Sequence, residues 1–155
     1  MHRAKKLSKI LVAVDGSEAS MRAATHAFDI ATRSNIQCAL YLVHIVPPQI
    51  FLGHSSGYFG AVSPRYQEEI KEEAEGWFDR VSSKGRRKND HVRIINKVIS
   101  TGASIVTEIV SYADKNEIEL IVIGATGKSG LKRLLLGSIS SGVIAHAHCS
   151  VLVVR

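Results

Sequence analysis

Glycines at positions 124, 127 and 137, with Ser138 directly behind the last, form the pattern in this chain best suited to chemistry. They follow an apolar run, Leu120 to Ile123, in the segment Gly124-Ala-Thr-Gly127-Lys-Ser-Gly130 and onward to Gly137-Ser138. Closely spaced glycines let the backbone take positive φ and bring its N–H groups against a ligand. Amides turned inward beside a helix start make an anion site, so the chemistry expected is the holding of phosphates. Three patterns compete. Gly127-Lys128-Ser129 copies the ending of a Walker A loop, but that loop needs a glycine where Val122 stands. The dinucleotide fingerprint fails because glycines 124, 127 and 130 have the wrong spacing and come too late to open a first βα turn. The third is a split site, with Gly124 and Gly127 on one side and Gly137-Ser138 at the next helix start on the other. It fits the spacing.

Other residues bear on the same chemistry. Asp15 closes the first apolar run. It either helps hold a divalent ion, Mg²⁺ or Mn²⁺, that bridges phosphates, or ends the strand and accepts from a ribose hydroxyl or a backbone amide. Lys128 either adds charge to the loop or is simply solvated, and Ser129 can donate one hydrogen bond. His146, His148 and Cys149 invite a zinc reading, which fails because they span a helix end and a strand start without a second ligand pair. His26 and His44 lie in apolar settings and read as hydrogen-bonded core or pocket-wall histidines. No Ser/His/Asp or Cys/His arrangement is visible, so no catalytic residue is named.

The elements that must position these groups follow from hydropathy. Ile10–Val14, Ala39–Val46, Leu120–Ile123 and Val151–Val154 are short, nearly continuous apolar runs, as in strands buried on both faces of a parallel sheet. Val92–Ile99 is mixed and belongs at or near a sheet edge. Between the runs, apolar residues recur at helical spacing: Ala23, Ala24, Ala27, Phe28 and Ala31, then Ile70, Ala74, Trp77, Phe78 and Val81. Two more stripes are Ile105, Val106, Ile109, Val110 and Ala113, then Ile139, Val143, Ile144 and Ala147. Ser17-Glu18 and Ser63-Pro64 mark helix starts. The alternating order predicts right-handed crossovers and a three-layer α/β/α sandwich. Ligands of such sheets sit beyond the carboxyl ends of the strands, so neighbouring first and fourth strands would put Asp15 and the glycine loop in one crevice. The stretch 47–63, with two prolines, three glycines and three aromatics, reads as either a lid over that crevice or plain surface loop.

Composition narrows the function class. A chain of 155 residues suits one domain, and 45% apolar with 22% charged residues can support a core. The net charge of +6 favours acidic ligands, but the basic residues are scattered. Their densest group, Lys84, Arg86, Arg87 and Lys88, lacks interleaved aromatics, which argues for a solvated helix end over a nucleic-acid surface. Two cysteines, Cys38 and Cys149, in apolar strand settings read as buried free thiols of a reducing compartment. The basic start is followed by an apolar run too short for a signal peptide, and no run is long enough to span a membrane. A cytoplasmic location is expected.

Gly124-x2-Gly127-x9-Gly137-Ser138 resembles the ATP-binding signature of the universal stress protein family. The likeness extends to Ile10-Leu-Val-Ala-Val-Asp15-Gly-Ser-Glu18 at the first strand and Cys149-Ser-Val-Leu-Val-Val154 at the last, and so covers the whole chain. The resemblance implies a Rossmann-like fold of the adenine nucleotide α-hydrolase type, with an open five-stranded parallel sheet in order 3-2-1-4-5 and ATP at its carboxyl edge. It implies that Ala13, Val14 and Asp15 contact adenine or ribose and that Ile45 walls the adenine. Gly124, Gly127, Lys128, Ser129, Gly137, Ser138 and Ile139 would surround the phosphates and ribose. It also implies a homodimer through the last strand, Val151–Val154, and a regulatory protein partner. Many relatives carry Ser-His or Ser-Arg where Ala125-Thr126 stand and proline where Ser150 stands. The first departure removes a possible side-chain contact to phosphate. The expected function is nucleotide-dependent sensing or regulation in the stress response. The alternatives are a slow ATPase or phosphotransferase, and an interaction module without nucleotide.

Overall fold

A computed structural model describes residues 7–34, 36–46, 64–85, 91–127 and 136–155. The element order is β1 (Lys9–Ala13), α1 (Glu18–Arg33), β2 (Cys38–Val46), α2 (Pro64–Gly85), β3 (Val92–Ser100), α3 (Ile105–Lys115), β4 (Leu120–Gly124), α4 (Ser138–His146) and β5 (Ser150–Val154). The strands form one sheet in the order β3-β2-β1-β4-β5, and every pairing is parallel. β1 and β4 are neighbours, with Ile10 opposite Leu120 and Val12 opposite Val122. β3 is an edge strand, as its mixed sequence predicts, and β5 is the other edge.

Successive side chains of a strand point to opposite faces, and this alternation builds two cores from continuous apolar runs. Ile10, Val12, Leu40, Leu42 and Val122 face α1 and α2, packing with Ala23, Ala27, Phe28, Ala74, Trp77 and Phe78. Leu11, Val43, Ile45, Ile121 and Ile123 face the other way, against Ile109 and Ala113 of α3 and Val143 of α4. Helices therefore cover both faces of the sheet. The small alanine stripe lets α1 lie close, so a Cβ added at Gly124 would sit 2.8 Å from the backbone of both Ala19 and Ser20.

The predicted helix starts fall where expected. Ser17 caps α1 by accepting from the amide of Ser20, and Glu18 opens its first turn. Pro64 opens α2, while Ser63 and the 47–63 stretch lie outside the described residues. Three expectations need correction. Ile144 is 45% exposed, because α4 is short and meets its neighbours mainly through Val143 and the half-buried Ile139. Val110 is half-buried rather than core. Of the cysteines only Cys38 is buried, because Cys149 stands just before an edge strand and is half-covered. Among the described residues, no helix is long and apolar enough to cross a membrane.

Candidate functional site

A cavity of about 480 Å³ opens at the carboxyl edge of the sheet, within the usual range of ~300–1,000 Å³ for ligand pockets. It collects nine of the eleven residues singled out from the sequence: Ala13, Val14, Asp15, Ile45, Gly124, Gly127, Gly137, Ser138 and Ile139. Lys128 and Ser129 lie outside the described residues. The place follows from topology, since β1 sends its chain out to α1 on one face while β4 leads to α4 on the other. The reversal of strand order between them opens a crevice at their carboxyl ends.

Asp15 stands at the centre. Its Oδ1 accepts from the Ser17 amide at 3.0 Å and from the Ser17 hydroxyl at 2.6 Å. The Asp15 amide donates to Ser20 Oγ at 3.3 Å. Its Oδ2 is close enough to Gly127 that a Cβ there would lie only 2.9 Å away. Asp15 thus bridges the β1 turn and the loop after β4. That geometry explains why position 127 is glycine: a side chain would displace the carboxylate.

The other glycines carry different reasons from the one the sequence suggested. Among the described residues only Gly16 has a glycine's positive φ, at 79°. Gly124 is required by the close approach of α1, and Gly137 has an ordinary extended backbone with φ −64°. An anion site of the kind expected would therefore rest on the start of α4 rather than on left-handed glycines. Gly137 is the N-cap of α4, and no side chain caps it among the described residues. Its own amide donates to the Ala125 carbonyl at 2.7 Å. Ser140 Oγ is turned away, donating within reach of Ala125 O at 3.0 Å and Gly137 O at 2.9 Å. Ser138, Ile139 and Ser140, the first turn of α4, line the cavity, and a first helical turn carries amides without an intrahelical partner.

Part of the lining is apolar. Val43, Ile45, Ile109 and Ile123 form it, a surface suited to the face of a flat ring. Further residues were missed by motif reasoning because they lie on a core stripe or on an unremarked part of α2. Tyr66, Ile70, Glu73 and Trp77 all reach the cavity from that helix. Trp77 and Ile70 carried a helical periodicity that reads as packing, and nothing in Tyr66 or Glu73 alone marks a pocket. His44 is also in the wall. Its Nδ1 donates to the Val14 carbonyl at 2.8 Å, the hydrogen-bonded role expected of it. His146 and His148 lie elsewhere, with Nδ1 atoms bonded to Gly142 O and the Asp114 carboxylate.

The profile of the universal stress protein family matches residues 6–155. The chain belongs to the universal stress protein family. A universal stress protein of Methanocaldococcus jannaschii is 35% identical over 155 residues, covering 95% of this chain and 81% of that protein. The structure of universal stress protein UspA from Lactobacillus plantarum superposes with a TM-score of 0.74 at 30% identity, covering 97% of this chain and 99% of that one. A universal stress protein solved in complex with cAMP gives a TM-score of 0.67 at 25% identity, covering 97% and 98%. The family's five-stranded order is the one found here.

Proposed function

We propose that this universal stress protein binds ATP at the carboxyl edge of its sheet and acts as a nucleotide-dependent sensor or regulator. The observation that carries the reading is the start of α4: a helix N-terminus capped only by glycine, facing a cavity that also holds Asp15 and an apolar wall. The residues suit the ligand. Phosphate oxygens would accept from the α4 amides, Asp15 would accept from a ribose hydroxyl or share a divalent ion, and Ile45 would lie against adenine. A structurally similar universal stress protein was solved in complex with cAMP, which supports an adenine nucleotide as the class of ligand. Lys128 and Ser129 belong to the proposed phosphate loop by their position in the sequence.

Thermal melting with millimolar ATP and Mg²⁺ tests the reading. A ligand selective for the folded state at 100 times its Kd adds about 2.7 kcal/mol of stability, so the midpoint should rise by several degrees. Gly127→Val should remove the rise while the protein still folds. An unmoved wild-type midpoint would refute binding. A cytoplasmic homodimer completes the proposal: β5 is an edge strand whose Val151, Leu152 and Val153 stay half-buried in the single chain, and an unpaired edge is a template for a second copy. A monomeric mass in sedimentation at micromolar concentration would count against it.

A further inference from the structure

The turn that carries Asp15 is gripped by two aromatic side chains that line the same cavity and that no phosphate-site pattern includes. His44, at the carboxyl end of β2, donates Nδ1–H to the carbonyl of Val14 at 2.8 Å, immediately before Asp15. Trp77 of α2 covers Gly16, immediately after it. A Cβ added at Gly16 would lie 2.4 Å from Trp77 Cε2, and the glycine holds a φ of 79° that side chains rarely adopt. The two rings meet edge to face, with centroids 5.1 Å apart and planes at 85°, a favoured aromatic arrangement. Trp77 is 5% exposed, so its position is set by packing.

We propose that His44 and Trp77 are positioning residues of the site: together they clamp the backbone on both sides of Asp15 and so set where its carboxylate stands against the ligand. The chain of contacts is continuous. His44 fixes the Val14 carbonyl, Trp77 closes on Gly16, and Ser17 holds Asp15 Oδ1 through its amide and hydroxyl. Oδ2 is thereby left toward Gly127, on the phosphate side of the cavity. α2 thus acts on Asp15 through its neighbours. The inference deepens the ATP-binding reading and rests on it only for its second measurement.

The experiment pairs a variant that removes the donor, His44→Leu, with one that keeps a donor near the Nδ1 position, His44→Asn. The first measurement is amide hydrogen exchange in ligand-free protein, read at Asp15 and Ser17. Exchange should quicken by roughly two- to tenfold in H44L, the span of one hydrogen bond's net worth, and return to the wild-type rate in H44N. The second is calorimetric ATP affinity in a double-mutant cycle with Asp15→Asn. The affinity lost in H44L, by about the same factor, should shrink below about twofold when Asp15 is already replaced. If H44L does not fold, Trp77→Phe supplies both readings by withdrawing the indole from Gly16. Unmoved amides, an H44N that behaves as H44L, or a loss that persists undiminished beside D15N would each overturn the clamp. A wild-type protein that ignores ATP would sink the proposed function instead, and the exchange data would still decide the clamp.

Discussion

Two helices, α1 and α4, begin at the carboxyl edge of the sheet against the same cavity and treat their free amides in opposite ways. α1 closes its start with its own side chains: Ser17 Oγ accepts from the Ser20 amide, and Asp15 accepts from Ser17 in turn. α3 does likewise through Ser104 and the Thr107 amide. α4 starts from Gly137, where no side chain caps it among the described residues, and the hydroxyl of Ser140 in its first turn bonds carbonyls instead. A first helical turn carries amides without an intrahelical partner and a partial positive charge. Satisfied from within, such a start supports the fold; left without a cap, it is available to an anionic ligand. The difference separates the structural wall of the pocket from its proposed phosphate-binding wall.

The largest test of that comparison is to make α4 resemble α1. Gly137→Asp supplies a capping carboxylate at an ordinary φ, with only the Ala125 oxygen as a tight neighbour, 3.3 Å from the new Cβ. Stability should hold or rise by a few tenths of a kcal/mol. The ATP-dependent rise in melting midpoint should disappear, an affinity loss on the order of 100-fold or more, because the carboxylate occupies the amides and repels phosphate. Retained binding would mean that the two helix starts do not differ in the way described.

A second, smaller effect comes from making α1 resemble α4. Ser17→Ala deletes the cap and the hydroxyl that Asp15 accepts from, and should cost about 1–2 kcal/mol in chemical denaturation. Loss of a few tenths or less would show that α1 does not depend on its own cap. The smallest effect lies at the opposite edge of the sheet, where no ligand site is proposed. Burial raises the Cys38 thiol from 9.0 to about 11, so the folded protein holds that proton to higher pH than the unfolded chain does. The stabilisation is complete below pH 9 and drains away as pH rises toward 11, amounting to about 1 kcal/mol by pH 10. The same loss should appear with and without ATP, and a Cys38→Ala variant should lack that part of the alkaline slope. A slope that changes with ATP would tie the two edges together.

Much of this was legible before any coordinates. Ile10–Val14 and Leu120–Ile123 read as strands because both faces of a central parallel strand are covered, leaving no polar alternation. The spacing of Gly124, Gly127 and Gly137-Ser138 placed the loop and the helix start, and nine of the named residues do share one cavity. Other features were hidden by their own patterns. Trp77 sits in the stripe Ala74, Trp77, Phe78 and Val81, where periodicity reports burial and says nothing about which buried residue abuts a pocket. Ile144 obeys the helical period yet faces out, because a short helix over one strand edge has too little neighbour surface to cover its whole stripe.

The order of apolar runs and helical stripes, set by local hydropathy and turn chemistry, was sufficient for the layered architecture. The position of the glycines was sufficient to bring Gly124, Gly127, Gly137 and Ser138 to one cavity. Why each glycine is there was decided only when the chain folded back on itself. Gly124 answers to the backbone of α1, Gly127 to the carboxylate of Asp15, and Gly16 to the ring of Trp77. Those contacts join residues distant along the chain or on separate elements, and steric exclusion between them is a property of packing that no single stretch of sequence contains.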